Sequence, residues 1–98
     1  MYTVIETPTF QQQSKAIWTD SVRDEFFDWI ARNPLAGDVI PQAQGARKVR
    51  WAASGRGKRG GARIIYFHLS EDGALLLIAI YTKSEQSNMK TSAIKKVR

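Results

Sequence analysis

Residues 62–81 read ARIIYFHL-SEDG-ALLLIAIY, and this stretch decides the fold. Ala62 to Leu69 is rich in β-branched and aromatic residues, as a strand requires. Glu71-Asp72-Gly73 is a hairpin turn, with glycine where a positive φ is often needed. Ala74 to Tyr81 is apolar at nearly every position, which predicts a central strand covered on both faces. Its eight residues fall far short of the roughly 20 needed to span a bilayer. Two strands joined this tightly must be antiparallel.

Upstream, Arg47 to Ala52 (RKVRWA) reads as a further strand, joined to the hairpin by the glycine-basic loop Ser54 to Gly61 (SGRGKRGG). Pro34 to Gly45 holds two prolines and two glycines and reads as a loop, long enough to suggest packing or function. Before it lies the clearest helix. Thr19 is its N-cap, and Asp20 sits where the helix dipole favours a carboxylate. Val22, Phe26, Trp29 and Ile30 form one apolar stripe, and Asn33-Pro34 ends the helix. Thr9 to Trp18 predicts a shorter helix on the spacing of Phe10 and Ile17. Tyr2 to Glu6 predicts a first strand, and the tail from Thr91 a short C-terminal helix.

The expected architecture is therefore α+β. A small antiparallel β-sheet with a mixed edge carries two N-terminal helices on one face, followed by a short C-terminal helix. With 98 residues the chain has room for one core, so residues 1–98 are expected to form a single domain. The apolar fraction of 43% is too high for a disordered polymer.

Charge is the next constraint. The chain carries 15 Lys and Arg against 9 Asp and Glu, a net +6, which points to a polyanionic partner. The charge is segregated. Residues 1–38 hold Lys15, Arg23 and Arg32 against Glu6, Asp20, Asp24, Glu25, Asp28 and Asp38, a net −3. Residues 47–63 hold Arg47, Lys48, Arg50, Arg56, Lys58, Arg59 and Arg63 with no acid, a net +7. A solvated charged face is the plain reading of such a run. A phosphate-binding surface is the sharper one, because the cations sit on adjacent strands and the glycines allow close backbone approach.

The same composition removes several chemistries. With no cysteine there is no disulfide framework, thiolate zinc site or thiol nucleophile. One histidine leaves no His-based metal cage, and no Ser/His/Asp set is evident. The GxxxxGK[ST] spacing of a P-loop is absent. The expectation is a protein with no metal and no cofactor. The N-terminus lacks a basic segment followed by an apolar one, so a cytoplasmic protein is expected, with no membrane partner.

On strand 47–52, alternation puts Val49 and Trp51 on one face and Lys48 and Arg50 on the other. Two neighbouring cations repel, which water or an anion relieves. Lys48 and Lys58 are candidates for proton transfer as well as charge neutralisation. His68, at the end of an apolar strand, is more often structural than catalytic, and Tyr66 is a candidate for base stacking as well as for the core. Lys83, just past the last strand, lies where it could approach Arg63.

The run from Asn33 to Phe67, with Gly37-Asp38-Val39-Ile40-Pro41, Arg47-Lys48-Val49-Arg50-Trp51, Gly55 to Arg63 and later Tyr81-Thr82-Lys83, resembles the RelE/HigB toxins of bacterial type II toxin–antitoxin systems. The element order is also that of a RelE-like fold. The resemblance implies a metal-free endoribonuclease that cuts mRNA on the ribosome and inhibits translation. It also implies a cognate antitoxin that neutralises it, usually a helix-turn-helix DNA-binding protein. By position, Lys48 and Arg50 match the strand cations that contact phosphate or move protons. Arg63 matches the arginine that clamps the scissile phosphate, and Lys83 a cation after the last strand. Arg47, Arg56, Lys58, Arg59, Tyr66 and His68 would contact RNA or the ribosome. Some members also use a tyrosine in the C-terminal segment, and residues 86–90 here hold none. A non-catalytic module that binds nucleic acid or antitoxin through the same basic surface is the alternative.

Overall fold

The computed structural model describes residues 1–52 and 61–82. Five strands and two helices follow in the order β1 (Thr3–Glu6), α1 (Pro8–Lys15), α2 (Asp20–Arg32), β2 (Asp38–Val39), β3 (Arg47–Trp51), β4 (Ala62–Leu69) and β5 (Ala74–Thr82). A 3-10 turn, Ser70–Asp72, joins β4 to β5, and Gly73 completes it at φ 62°. The strands form one sheet in the order β1-β5-β4-β3-β2. All neighbours are antiparallel except β1 and β5, which run parallel, so the mixed edge is at β1. The expected C-terminal helix, and the glycine-basic loop Ser54 to Gly61 but for its last residue, lie outside the described residues.

Both helices begin where capping chemistry starts them. The Thr7 hydroxyl accepts from the Phe10 N–H at 3.2 Å, and Pro8 fits the first turn, which needs no N–H. This moves α1 forward from the expected 9–18, and it ends at Lys15 because the N–H groups of Ile17 and Trp18 both turn back to the Ser14 carbonyl. The Thr19 hydroxyl caps α2 by accepting from Val22 N–H at 3.2 Å. The predicted stripe holds: Phe26 and Ile30 are fully buried, and Val22 and Trp29 pack beside them.

The helices cover one face of the sheet. There Phe10, Trp18, Phe26 and Ile30 pack on Val49, Ala62, Ile64, Tyr66, Leu75, Leu77 and Ile80. Burying each large apolar side chain is worth about 1.5–3 kcal/mol. A second cluster lies on the opposite face, where Ile40, Ala43 and Ala46 pack on Ile65, Phe67, Ile78, Ala79 and Tyr81. The segment read as a loop long enough to pack or function does two things. Asp38–Val39 pairs with β3, and residues 40–46 fold over the second face. Gln42 and Gln44 both adopt positive φ (60° and 56°) to make this turn, a backbone that bulky residues avoid. Hydrogen bonds from Ile40 N to Ala46 O (2.8 Å) and from Ala46 N to Ala43 O (3.1 Å) hold it closed.

Two further contacts set the frame. Beyond its pairing with β1, β5 would leave Ile80 N–H unmet, and the Gln13 side-chain carbonyl of α1 accepts from it at 3.0 Å. At the other side of the sheet, the Tyr66 hydroxyl accepts from Gly37 N–H (3.0 Å) and donates to the Pro34 carbonyl (2.8 Å). A β-carbon on Gly37 would stand 2.9 Å from the Tyr66 ring and 3.0 Å from the Lys48 carbonyl, so only glycine fits there.

Tyr66→Phe should therefore lower unfolding free energy by about 1–3 kcal/mol, read from urea melts, because a buried N–H and a part-buried carbonyl lose their partner. Burial raises the Tyr66 phenol above its ordinary value of 10.0, against the opposing pull of Gly37 N–H and Arg47. Well below pH 10 the proton is held in both folded and unfolded chains, and this group adds no pH dependence to stability. Above it the unfolded chain ionises first and stability falls. Burial raises the Tyr81 phenol in the same direction, so Tyr66→Phe should make the alkaline fall shallower without removing it.

Candidate nucleic-acid interface

Strand register places the cations. Arg50 on β3 lies directly opposite Arg63 on β4, and Arg63 lies opposite Tyr81 on β5. One turn of the pleat along, Lys48 is opposite Ile65. Residues opposite one another in register project to the same face, so Lys48, Arg50, Arg63 and Tyr81 share the face away from the helices. Adjacent strands are about 4.8 Å apart, so Arg50 and Arg63 are immediate neighbours. Arg50 is exposed, and Lys48 and Arg63 are half-buried.

What holds these cations in place lies on the other face. Trp51 follows Arg50 and packs on α2, 5.0 Å from the Trp29 ring and 5.4 Å from Phe26 between centroids. Val49, between Lys48 and Arg50, is in the same core. β3 is thus anchored by Val49 and Trp51, and Lys48 and Arg50 are left facing outward. Among the described residues, the ion pairs join Arg23 to Asp20 and Asp24, and Arg32 to Asp28, all on α2. Neither Arg50 nor Arg63 has a carboxylate partner there. The acid that register brings to the cations is Asp38, across from Lys48 on β2.

Not every basic or aromatic candidate joins this face. Arg47 is on the helix side, where its guanidinium donates to the Gly37 carbonyl at 2.7 Å and the Leu35 carbonyl at 3.4 Å. Tyr66 is 0% exposed and committed to Gly37 and Pro34, so it offers no ring to a base. His68 also projects to the helix side at the far end of β4, with its ring 5.0 Å from Tyr2. Alternation from Val49 and Ile64 would have separated these three from the outward cations. Arg56, Lys58, Arg59 and Lys83 lie outside the described residues.

Tyr81 is the addition the sequence reading missed. Leu75 and Leu77 face the helices, and strict alternation would send Tyr81 with them. A β-bulge prevents this. Ile65 pairs with Ala79 and Tyr66 with Leu77, so Ile78 is the extra residue. Ile78, Ala79 and Tyr81 consequently all belong to the second face. Burial raises the Tyr81 phenol above its ordinary value, opposed by the Arg63 charge, so it is a neutral hydroxyl at physiological pH. Among the described residues there is no group of His, Cys, Asp or Glu able to hold a metal, and no helix long and apolar enough to cross a membrane.

No family model matches the sequence. The architecture does match solved structures. A doubly substituted variant of the E. coli toxin RelE in the free state superposes with TM-score 0.68 and 16% identity, over 99% of this chain and 98% of that one. This chain has the RelE toxin fold. The isolated E. coli RelE toxin matches at TM-score 0.59 and 15% identity, over 100% of both chains. A chain of the intact E. coli RelBE toxin–antitoxin complex matches at TM-score 0.60 and 15% identity, over 88% of this chain and 100% of that one. Here the RelE fold supplies a sheet with one face sealed by helices and a cationic row at one end of the other.

Arg50 and Arg63 are neighbours without a carboxylate partner among the described residues, and an anion that binds between them only in the folded state would raise its stability. Millimolar inorganic phosphate should raise the wild-type melting temperature more than that of Arg50→Gln or Arg63→Gln, measured at matched ionic strength. Without phosphate, Arg50→Gln should melt at or slightly above the wild type, because a like-charge pair has been removed.

Proposed function

We propose that this protein is the toxin of a type II toxin–antitoxin system, an endoribonuclease that cuts mRNA on the ribosome and is neutralised by a cognate antitoxin. The observation that carries the reading is the row Arg50–Arg63 with Lys48 beside it, outward on the face the helices leave uncovered. The fold shared with the E. coli RelE toxin and with a chain of the RelBE toxin–antitoxin complex supports it, and supports an antitoxin as partner.

The reaction suited to such a site is attack by a ribose 2′-oxygen on the adjacent phosphorus. The P–O5′ bond breaks, leaving a 2′,3′-cyclic phosphate and a 5′-hydroxyl. The proton of the 2′-hydroxyl passes to a base, and one is delivered to the departing 5′-oxygen. The pentacoordinate phosphorus carries extra negative charge, which fixed guanidinium groups stabilise without reorganisation. Arg63 takes the clamp on the scissile phosphate, with Arg50 at its side, and Lys48 takes phosphate contact or proton transfer. Dependence on the 2′-hydroxyl makes the substrate RNA rather than DNA. By the family resemblance, Lys83 is expected to act with the catalytic cations, and Arg56, Lys58 and Arg59 to contact ribosomal RNA. The antitoxin is expected to carry a helix-turn-helix domain, and the site of action to be the cytoplasm.

Induction of the protein in a bacterium should arrest growth, and co-expression of the adjacent small gene should release it. Arg63→Ala should cost about 10²–10³ in cleavage rate, as loss of one preorganised donor does, and should abolish the arrest. Primer extension on mRNA from arrested cells should show new 5′ ends that the variant lacks. Toxicity that survives both Arg63→Ala and Lys48→Ala would remove these residues from the site. Harmless induction with intact mRNA would favour a module that only binds nucleic acid or antitoxin. In that case RNA affinity should still fall with salt by about 0.7 log unit per log unit for each phosphate contacted.

A further inference from the structure

We propose that Gln42, exposed on the turn that folds over the second face of the sheet, is a specificity-determining residue whose side-chain amide reads a base of the bound RNA, with adenine the base it fits. The proposal rests on the reading of the cationic row as an RNA site and deepens it.

The row cannot select a sequence by itself. Cations that hold phosphate fix the position of a strand and carry no information about its bases. Discrimination needs neutral donors and acceptors close by. The segment 40–46 (IPQAQGA) has no charged side chain, and it stands on the same face of the sheet as the row. It packs on Ile65, which is opposite Lys48 and two residues along β4 from Arg63, about 7 Å at the rise of a strand. The segment is therefore a raised, neutral wall beside the cations. A single strand held at Arg50 and Arg63 brings a neighbouring base to that wall, and unpaired bases are read on their open edges.

The backbone of the wall singles out Gln42. Ala43 N–H donates to the Ile40 carbonyl at 3.3 Å, closing a four-residue turn with Pro41 and Gln42 at its centre. Proline fixes a negative φ at the first central position, and Gln42 adopts φ 60° at the second. That combination is a type II turn, whose second central residue is ordinarily glycine or asparagine. Glycine would take the same backbone without strain, whereas the β-carbon of glutamine works against it. Strain of this kind collects at functional sites, where a side chain is wanted in spite of it. Ala43 is buried under the turn and Gln42 is exposed, so what glutamine adds over glycine is an amide held out beside the row. Its carbonyl can accept from the N6 amino group of adenine while its NH2 donates to N7.

The test uses the full chain and two 2′-O-methyl RNA oligonucleotides, which bind without being cut. One is all uridine, and the other carries a single adenine among uridines. The wild type should bind the adenine-containing RNA about tenfold more tightly, as one bidentate amide contact gives. Gln42→Gly and Gln42→Ala should both bring that ratio close to one. The glycine variant should at the same time melt above the wild type and the alanine variant should not, which separates base reading from stability. Arg63→Ala should weaken both RNAs alike and keep the ratio, as loss of a phosphate contact does. A ratio that survives both Gln42 substitutions, or a wild type that binds the two RNAs equally, would overturn the proposal and leave the cationic row standing as an RNA site. A glycine variant less stable than the wild type would also overturn it, because Gln42 would then serve the fold. A wild type that binds neither RNA removes the RNA site itself, and the proposal with it.

Discussion

The hydroxyl of Tyr66 ties the two halves of this fold together. Its ring is in the middle of β4, inside the main core, yet its oxygen reaches the segment between α2 and β2. There it closes on a donor and an acceptor of the main chain at once. A buried phenol needs such partners, and an irregular segment buried against a sheet needs its polar groups met. Each solves the other's problem. With Gly37 pressed against the ring and Arg47 holding the Gly37 carbonyl, β2 is delivered to the edge of β3. β3 in turn carries the outward cations.

A sheet with like charges side by side works against its own stability. The molecule offsets this by burying the alternate residues. Val49 and Trp51 on β3, and Ala62 and Ile64 on β4, are in the helix-side core, so the backbone at Arg50 and Arg63 cannot separate without unpacking it. The cations are held near one another by hydrophobic contact on the reverse face. For the proposed phosphate site this amounts to electrostatic preorganisation, since the work of bringing the charges together is done in folding. Four of the nine acids are kept on the far side, on α2, where Arg23 and Arg32 pair with three of them.

Much of this was legible in particular residues. The stripe of Val22, Phe26, Trp29 and Ile30 located α2 and its buried side, and Thr19 located its start. The alternation in RKVRWA separated Lys48 and Arg50 from Val49 and Trp51. The unbroken apolar run from Ala74 marked a strand covered on both faces. Tyr66 was open to two readings, core or base-stacking surface, because an aromatic residue in a strand looks the same in either setting. Its two hydrogen bonds to residues about 30 positions away settle it in the core. Asp38–Val39 was read as loop, since two residues carry no period and become a strand only by lying beside β3.

The sequence by itself determined the kinds of element, their order, the helix stripe and the gathering of positive charge between residues 47 and 63. These are properties of near neighbours along the chain: propensity, capping and short-range periodicity. Tertiary structure decided which face each strand residue occupies once pairing departs from strict alternation. The bulge at Ile78 exists only because β4 and β5 pair out of step there and because Gln13 and Thr7 meet the backbone groups on either side. That single inserted residue turns Tyr81 toward Arg63, and no count of residues within β5 could have shown it.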